Sequence, residues 1–230
     1  MNEPNYSAEL TPQKIEQEFE YENVKVFKLT AEFPEVRLLN NRPAEIRINS
    51  MIRMQVENFY NYAAEKLYRQ AVGEYRDSQT NGFPFRPYEA FLKYETAYNE
   101  NCFLSIYRDQ YVFTGGAHGN TVRSSDTWSL RSGRRYPLVR FFGPRSNYRN
   151  LLLGQILKQA DANMAENPGI YFEDYRKLIV QYFNERQYYL TPRGVAIYYQ
   201  QYEIAPYSTG IVVFTVAYEI LGWNPSCILG

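Results

Sequence analysis

The chain holds one histidine and two cysteines. A single histidine, His118, rules out metal sites built from several histidines, such as His-Glu-x-x-His. Cys102 and Cys227 are far apart and fit no zinc or redox spacing. Two buried thiols are the expected state, with one disulfide as the alternative. No apolar run reaches the ~18 residues of a membrane-spanning helix. A net charge of +0 lacks the basic excess that DNA, RNA or an anionic membrane surface draws on. No Gly-x-Ser-x-Gly elbow, Walker lysine motif or dinucleotide fingerprint occurs. The first 22 residues carry Glu9, Glu16, Glu18, Glu20 and Glu22, the opposite of a secretory leader. If Met1 is the native start, the compartment is the cytoplasm.

What the chain has in excess is aromatic side chains, at 17%, with 23 tyrosines. Tyrosine buries a ring and keeps a wet hydroxyl, which suits half-buried sheet faces and recognition surfaces. Arginines cluster at Arg131, Arg134, Arg135, Arg140, Arg145 and Arg149, a run read as a solvated loop and helix start.

Hydrophobic periodicity orders the rest. Residues 1–23 read as a loose or weakly helical lead-in. Val24 to Phe33 alternates as a half-buried strand and Pro34 ends it. Pro43 suits a first helical turn, and Ile48, Ile52, Val56, Phe59, Ala63 and Leu67 form one helical stripe. Asn81-Gly82, Pro84 and Pro87 mark a loop. Alternation at Ala90 to Tyr98, a turn at Asn99-Glu100-Asn101, and Cys102, Leu104 and Ile106 give two strands. Arg108-Asp109-Gln110 reads as a further turn before Tyr111-Val112-Phe113. Thr121 to Leu130 is a strand with a hairpin connection at Arg131-Ser132-Gly133-Arg134. Helices are expected from Tyr148 to Met164 and Phe172 to Phe183, then strands at 188–190 and 195–199, and at 211–216 a continuous apolar run consistent with a buried strand. Strand, long helix, strands, helices, strands is an α+β order with largely antiparallel sheets.

Three stretches carry a family resemblance. They are Phe33-Pro34 with Ile48-Asn49 on the long helix, Leu104-Ser105-Ile106 leading to Tyr111 through Gly119, and Tyr189 through Val195 followed by Tyr202 through Gly210. Together they resemble the paired extracytoplasmic domains of the bacterial RsiV and PdaC type, DUF4163 and DUF3298. The resemblance covers residues 24–222, dividing into a DUF4163 (PdaC/RsiV-like) domain at 24–119 and a DUF3298 domain at 120–222 packed as one unit. It implies an envelope location and a binding or sensing role. The ligand it implies is a lysozyme-like protein or a peptidoglycan fragment, because RsiV-like anti-sigma factors bind lysozyme and PdaC-like proteins carry the module beside a separate deacetylase. Neither a sigma-binding segment nor a deacetylase domain is recognisable in this sequence.

The candidate contact residues are Thr114, Gly115, Gly116, His118, Tyr199, Tyr202 and Tyr207. Glycines at 115, 116 and 119 let the backbone approach a ligand, or simply supply the angles that end a strand. His118 is expected to brace that turn. Tyrosines around a proline-stiffened loop, Tyr198 to Tyr207, offer a rigid patch. Catalysis would need His118 with Ser105, Ser124 or Ser125 and Asp109 or Asp126, a Cys102–His118 pair, or two carboxylates among Glu89, Glu95, Glu100, Asp109 and Asp126. Charges on an antiparallel strand usually line its wet face. The sequence therefore reads as a non-catalytic binding module without cofactor or metal. A cell-wall glycan hydrolase using His118 and a structural or assembly domain are its rivals.

Overall fold

The computed structural model describes residues 6–143 and 146–228; Arg145 of the arginine run lies outside them. The fold is α+β, as the periodicity predicts. A five-stranded sheet comprises β1 (Glu9–Tyr21), β2 (Val24–Arg37), β3 (Tyr88–Glu100), β4 (Phe103–Phe113) and β5 (Asn120–Ser129), in that order. A three-stranded sheet comprises β6 (Tyr188–Thr191), β7 (Gly194–Tyr199) and β8 (Val212–Ala217). All pairs are antiparallel except β2 with β3. That parallel pair follows from the long helical crossover between them, since a parallel neighbour cannot be reached by a hairpin.

The crossover is α1 (Arg42–Asn61), a π-helical turn (Tyr62–Leu67) and α2 (Tyr68–Asn81) in one continuous run. Asn41 caps its start through Oδ1, which accepts the Ala44 N–H, and Pro43 sits in the first turn. The stripe predicted from sequence is buried throughout, from Ile48 at 0% to Leu67 at 1% exposure. It packs with Phe27, Leu29, Ala90 and Leu92 to form the first core. Each of the larger side chains among them contributes about 1.5–3 kcal/mol by leaving water. A second core lies among the three-stranded sheet, α3 (Tyr148–Glu166) and α4 (Tyr175–Tyr182), with Leu152, Ile156 and Ile179 against Leu190, Ile197 and Phe214. The chain ends with the short helix α5 (Tyr218–Leu221) and a tail.

Four expectations are corrected. Residues 9–21 are neither loose nor helical: they pair along β2 from Glu9↔Arg37 to Tyr21↔Val24. Their glutamates occupy the wet face while Ile15, Phe19 and Tyr21 pack on the first core. Arg108-Asp109-Gln110 is not a turn, because β4 runs through it unbroken. Residues 211–216 are not buried on both faces; Val212, Phe214 and Val216 are buried while Val213 is exposed. The cysteines are not thiols: Cys102 and Cys227 form a disulfide across a separation of 125 residues. Cys102 stands at the β3–β4 turn, where it and Asn101 adopt positive φ. The bond ties the C-terminal tail to the five-stranded sheet.

A proline explains where β2 and β3 part. Their pairing stops at Glu32↔Lys93, one residue before Phe33-Pro34. Proline has no N–H to continue a ladder. Beyond it, Asn49 on α1 takes the place of a strand, accepting the Val36 N–H at 2.9 Å and donating to the Val36 carbonyl at 2.7 Å. Pro12 lies opposite Pro34 on the edge strand.

Candidate functional site

The turn from Thr114 to Gly119 joins β4 to β5. Gly119 is buried because the Tyr111 ring lies across it; a Cβ there would sit 2.3 Å from that ring. Gly115 adopts φ +81, while Thr114 and Gly116 are exposed. The Gly116 carbonyl accepts a hydrogen bond from Arg86 Nη1 at 3.3 Å. The His118 ring stacks on Tyr207 at 3.8 Å between centroids and 20° between planes. Its Nδ1 lies 3.1 Å from the Gly119 carbonyl, which also accepts the Tyr207 hydroxyl at 3.0 Å. Tyr202 continues the row, 5.8 Å from Tyr207.

Three aromatic rings thus form a ridge, His118–Tyr207–Tyr202, on top of the glycine turn. Tyr202 is 51% exposed and has φ +66. That backbone conformation is rare for a bulky residue and costs of order 1–3 kcal/mol. Tyr199 is not part of the ridge. It is fully buried in the second core, and its hydroxyl donates to the Ile179 carbonyl at 3.0 Å; burial holds its phenol well above the usual range.

The loop that presents Tyr202 is locked to β5, the outer strand of the larger sheet. Gln200 accepts the Arg123 N–H at 2.9 Å and donates to the Arg123 carbonyl at 2.8 Å. Gln201 accepts the Thr121 N–H at 2.8 Å. Glu203 closes the loop by accepting the Gln200 N–H at 2.7 Å, and burial raises its carboxyl above the ordinary value.

Geometry does not assemble the catalytic candidates. Ser124 and Ser125 lie four and five residues along β5 from Asn120, roughly 13–17 Å at the strand rise. Ser105 faces Thr127 far down the sheet, bonded to it at 2.7 Å, and accepts the Leu190 N–H at 2.9 Å. Ser125 donates to the Tyr188 carbonyl at 2.5 Å. Cys102 is consumed in the disulfide. Asp109 is held by Arg123 through two bonds of 2.7 Å. Glu95 pairs with Lys93, while Glu89 is exposed and Glu100 half-buried on β3. Among the described residues, no group of three His, Cys, Asp or Glu side chains converges as a metal site.

Asp126 was predicted on a wet face and is instead 7% exposed. Arg108 Nη1 at 2.8 Å, Arg135 Nε at 2.6 Å and Gln55 Nε2 at 2.8 Å all reach it. Gln55 in turn accepts the Tyr94 hydroxyl at 3.0 Å. Three donors converging on one buried carboxylate brace the sheet and leave it few open contacts for a substrate. This network floors a cleft of about 720 Å³ between the two sheets, lined by Arg108, Arg123, Asp126, Arg135, Arg186 and Tyr198. No motif announces the cleft. Its only sequence signal is the density of arginines.

Residues 20–121 match the family described as Deacetylase PdaC, and residues 140–219 match the protein of unknown function family DUF3298. No functionally curated protein matches the chain. A DUF3298-family structure from Bacteroides fragilis is similar over 98% of both chains, with 20% identity and a TM-score of 0.69. A DUF3298-family structure from Pseudomonas aeruginosa covers 94% of this chain and 93% of its own, with 16% identity and a TM-score of 0.61. At these identities the likeness is one of fold. The chain therefore matches a PdaC segment and a DUF3298 segment in that order, on a fold it shares almost end to end with two DUF3298-family structures.

Proposed function

We propose that this chain is a non-catalytic binding module of the bacterial cell envelope. Its ligand is a lysozyme-like protein or a cell-wall glycan fragment, met by the ridge His118–Tyr207–Tyr202. The observation that carries the reading is Tyr202, an exposed ring held in a left-handed backbone conformation at the end of an aromatic stack. Backbone strain persists where surrounding structure enforces it, and it concentrates at functional positions. Here the Gln200 and Gln201 bonds to β5 supply the enforcement. A rigid tyrosine presents a large amphipathic contact at low entropic cost. The resemblance to the external part of RsiV-like anti-sigma factors supports the same reading. So does the disulfide, since such bonds persist mainly outside the reducing cytoplasm.

The hydrolase alternative requires His118 beside a carboxylate, whereas the ring meets Tyr207 and the Gly119 carbonyl. The deacetylase in the PdaC family's description belongs to that family; this chain offers one histidine and no converging metal ligands among its described residues. The test is Tyr202→Ala against the parent chain, with lysozyme and with soluble peptidoglycan fragments immobilised in turn. Binding of one ligand by the parent and a loss of about tenfold or more in the variant supports the ridge, as removal of a tyrosine anchor costs ~2 kcal/mol or more. Equal binding by both chains refutes it.

A further inference from the structure

The arginine run holds a second site that the ridge does not explain. Below the β5 hairpin lies a pocket of about 450 Å³ lined by Arg47, Arg134, Arg135 and Arg140 with Ser129, Ser132 and Tyr136, and by no carboxylate. In a chain of net charge +0, four guanidinium groups around one cavity are a concentration of charge. Only Arg135 has a carboxylate within ion-pair distance, Asp126, among the described residues. Arg47, Arg134 and Arg140 are exposed and carry no such partner there.

The pocket's frame is rigid. Arg47 comes from α1 and the others from the connection after β5, and these two elements are pinned together. Asn41 Nδ2 donates to the carbonyls of Leu130 and Arg131, both at 2.9 Å. Arg47 Nη1 donates to the Ser132 carbonyl at 2.8 Å. Gly133, at φ +67, lies so close to α1 that a Cβ would meet the Ala44 backbone at 2.6 Å. Arg140 lies 5.7 Å from the Tyr136 ring centroid. Arg135 and Tyr136 also line the 720 Å³ cleft, so the two cavities adjoin.

We propose that the Arg47–Arg134–Arg135–Arg140 pocket binds a phosphate-bearing ligand through a phosphomonoester or pyrophosphate group. A single carboxylate brings one charge and two oxygens. A phosphate group brings about −1.5 to −2 and three acceptor oxygens, and guanidinium forks match it bidentately. The compact pocket, closed on one side by α1, suits one such group better than a long diester strand.

The experiment titrates the full chain with inorganic pyrophosphate by calorimetry, with citrate as an anion of similar charge. Arg134→Gln combined with Arg140→Gln removes two exposed cations and leaves the Arg47 bond to Ser132 intact. Arg176→Gln removes the same kind of charge at a distant pair with Asp161. The expected result is saturable pyrophosphate binding, weaker citrate binding, and at least about a tenfold loss in the double variant, in line with charged hydrogen bonds. Arg176→Gln stays within about twofold of the parent. Any of three results overturns the proposal: no saturable pyrophosphate binding, citrate binding as tight as pyrophosphate, or an equal loss in Arg176→Gln. An unchanged thermal midpoint in the double variant, read beside the titration, keeps loss of fold from imitating loss of binding.

Discussion

Replacing both Cys102 and Cys227 by serine removes a cross-link between the tip of the β3–β4 hairpin and the C-terminal tail. The bond closes a loop of 125 residues. In the chain-entropy picture, closing a loop of that length in the unfolded state stabilises the fold by about 5 kcal/mol. That is a large share of the roughly 5–15 kcal/mol that separates a folded domain from its unfolded chain. For a chain of 230 residues at about 2.1 cal/mol/K each, it corresponds to a fall of roughly 10 °C in the melting midpoint. The tail has further anchors: Trp223 stacks on Phe141 at 4.6 Å and meets Phe142 and Tyr218 edge-on or tilted. The double variant is therefore expected to fold natively and to melt early. Thermal melts and urea denaturation, both monitored by tryptophan fluorescence, provide the measure, with the parent under oxidising and reducing conditions as its own control. The variant and the reduced parent should agree, and m should rise as the unfolded chain expands. A midpoint within about 2 °C of the oxidised parent, with native spectra, would show that loop closure is not what the disulfide contributes.

Two further outcomes follow from the same contacts. Gly119→Ala places a methyl 2.3 Å from the Tyr111 ring and should cost about 1–3 kcal/mol; a thermal melt that matches the parent would contradict the close packing of the turn. Glu45 accepts the Leu38 N–H at 3.0 Å, and that bond, with Arg42 nearby, holds its carboxyl below the ordinary 4.5. A lowered pKa contributes stability that is present above the unfolded value and lost as the pH falls through the folded one. Glu45→Gln should accordingly flatten the stability profile below about pH 4.5, and a slope identical to the parent's in acid denaturation would dismiss the bond.

The long helix was legible because a single period governs it; every residue of its stripe meets the core. β1 carries an equally regular signal that acidic composition masked. Lys14, Glu16, Glu18 and Glu20 alternate with Ile15, Gln17, Phe19 and Tyr21, a period of two suited to a charged edge strand. The disulfide was not legible, because pairing of two cysteines depends on how the tail returns to the hairpin. Tyr202, Tyr207 and His118 come together because the turn and the loop share one end of the fold. Tyr199 was not separable from them by sequence, because only the strand's register shows that its ring points into the second core. The Asp126 network escaped for a related reason. Its partners come from α1, β4 and the segment after β5, and no local spacing links them.

The side-chain amides at the sheet margins have a consequence for how the molecule ages. Asn49 completes the backbone bonding of Val36, Asn99 does the same for Ala8 through two bonds of 2.8 Å, and Gln200 does it for Arg123. Each amide stands in for one residue of a missing strand and satisfies the backbone at that point. Hydrolysis of any of them to the acid would exchange an N–H donor for an anionic oxygen facing a carbonyl. The backbone would then be left open and repelled at the same point. Chemical wear at these amides would loosen the sheet margins while the two cores stay packed.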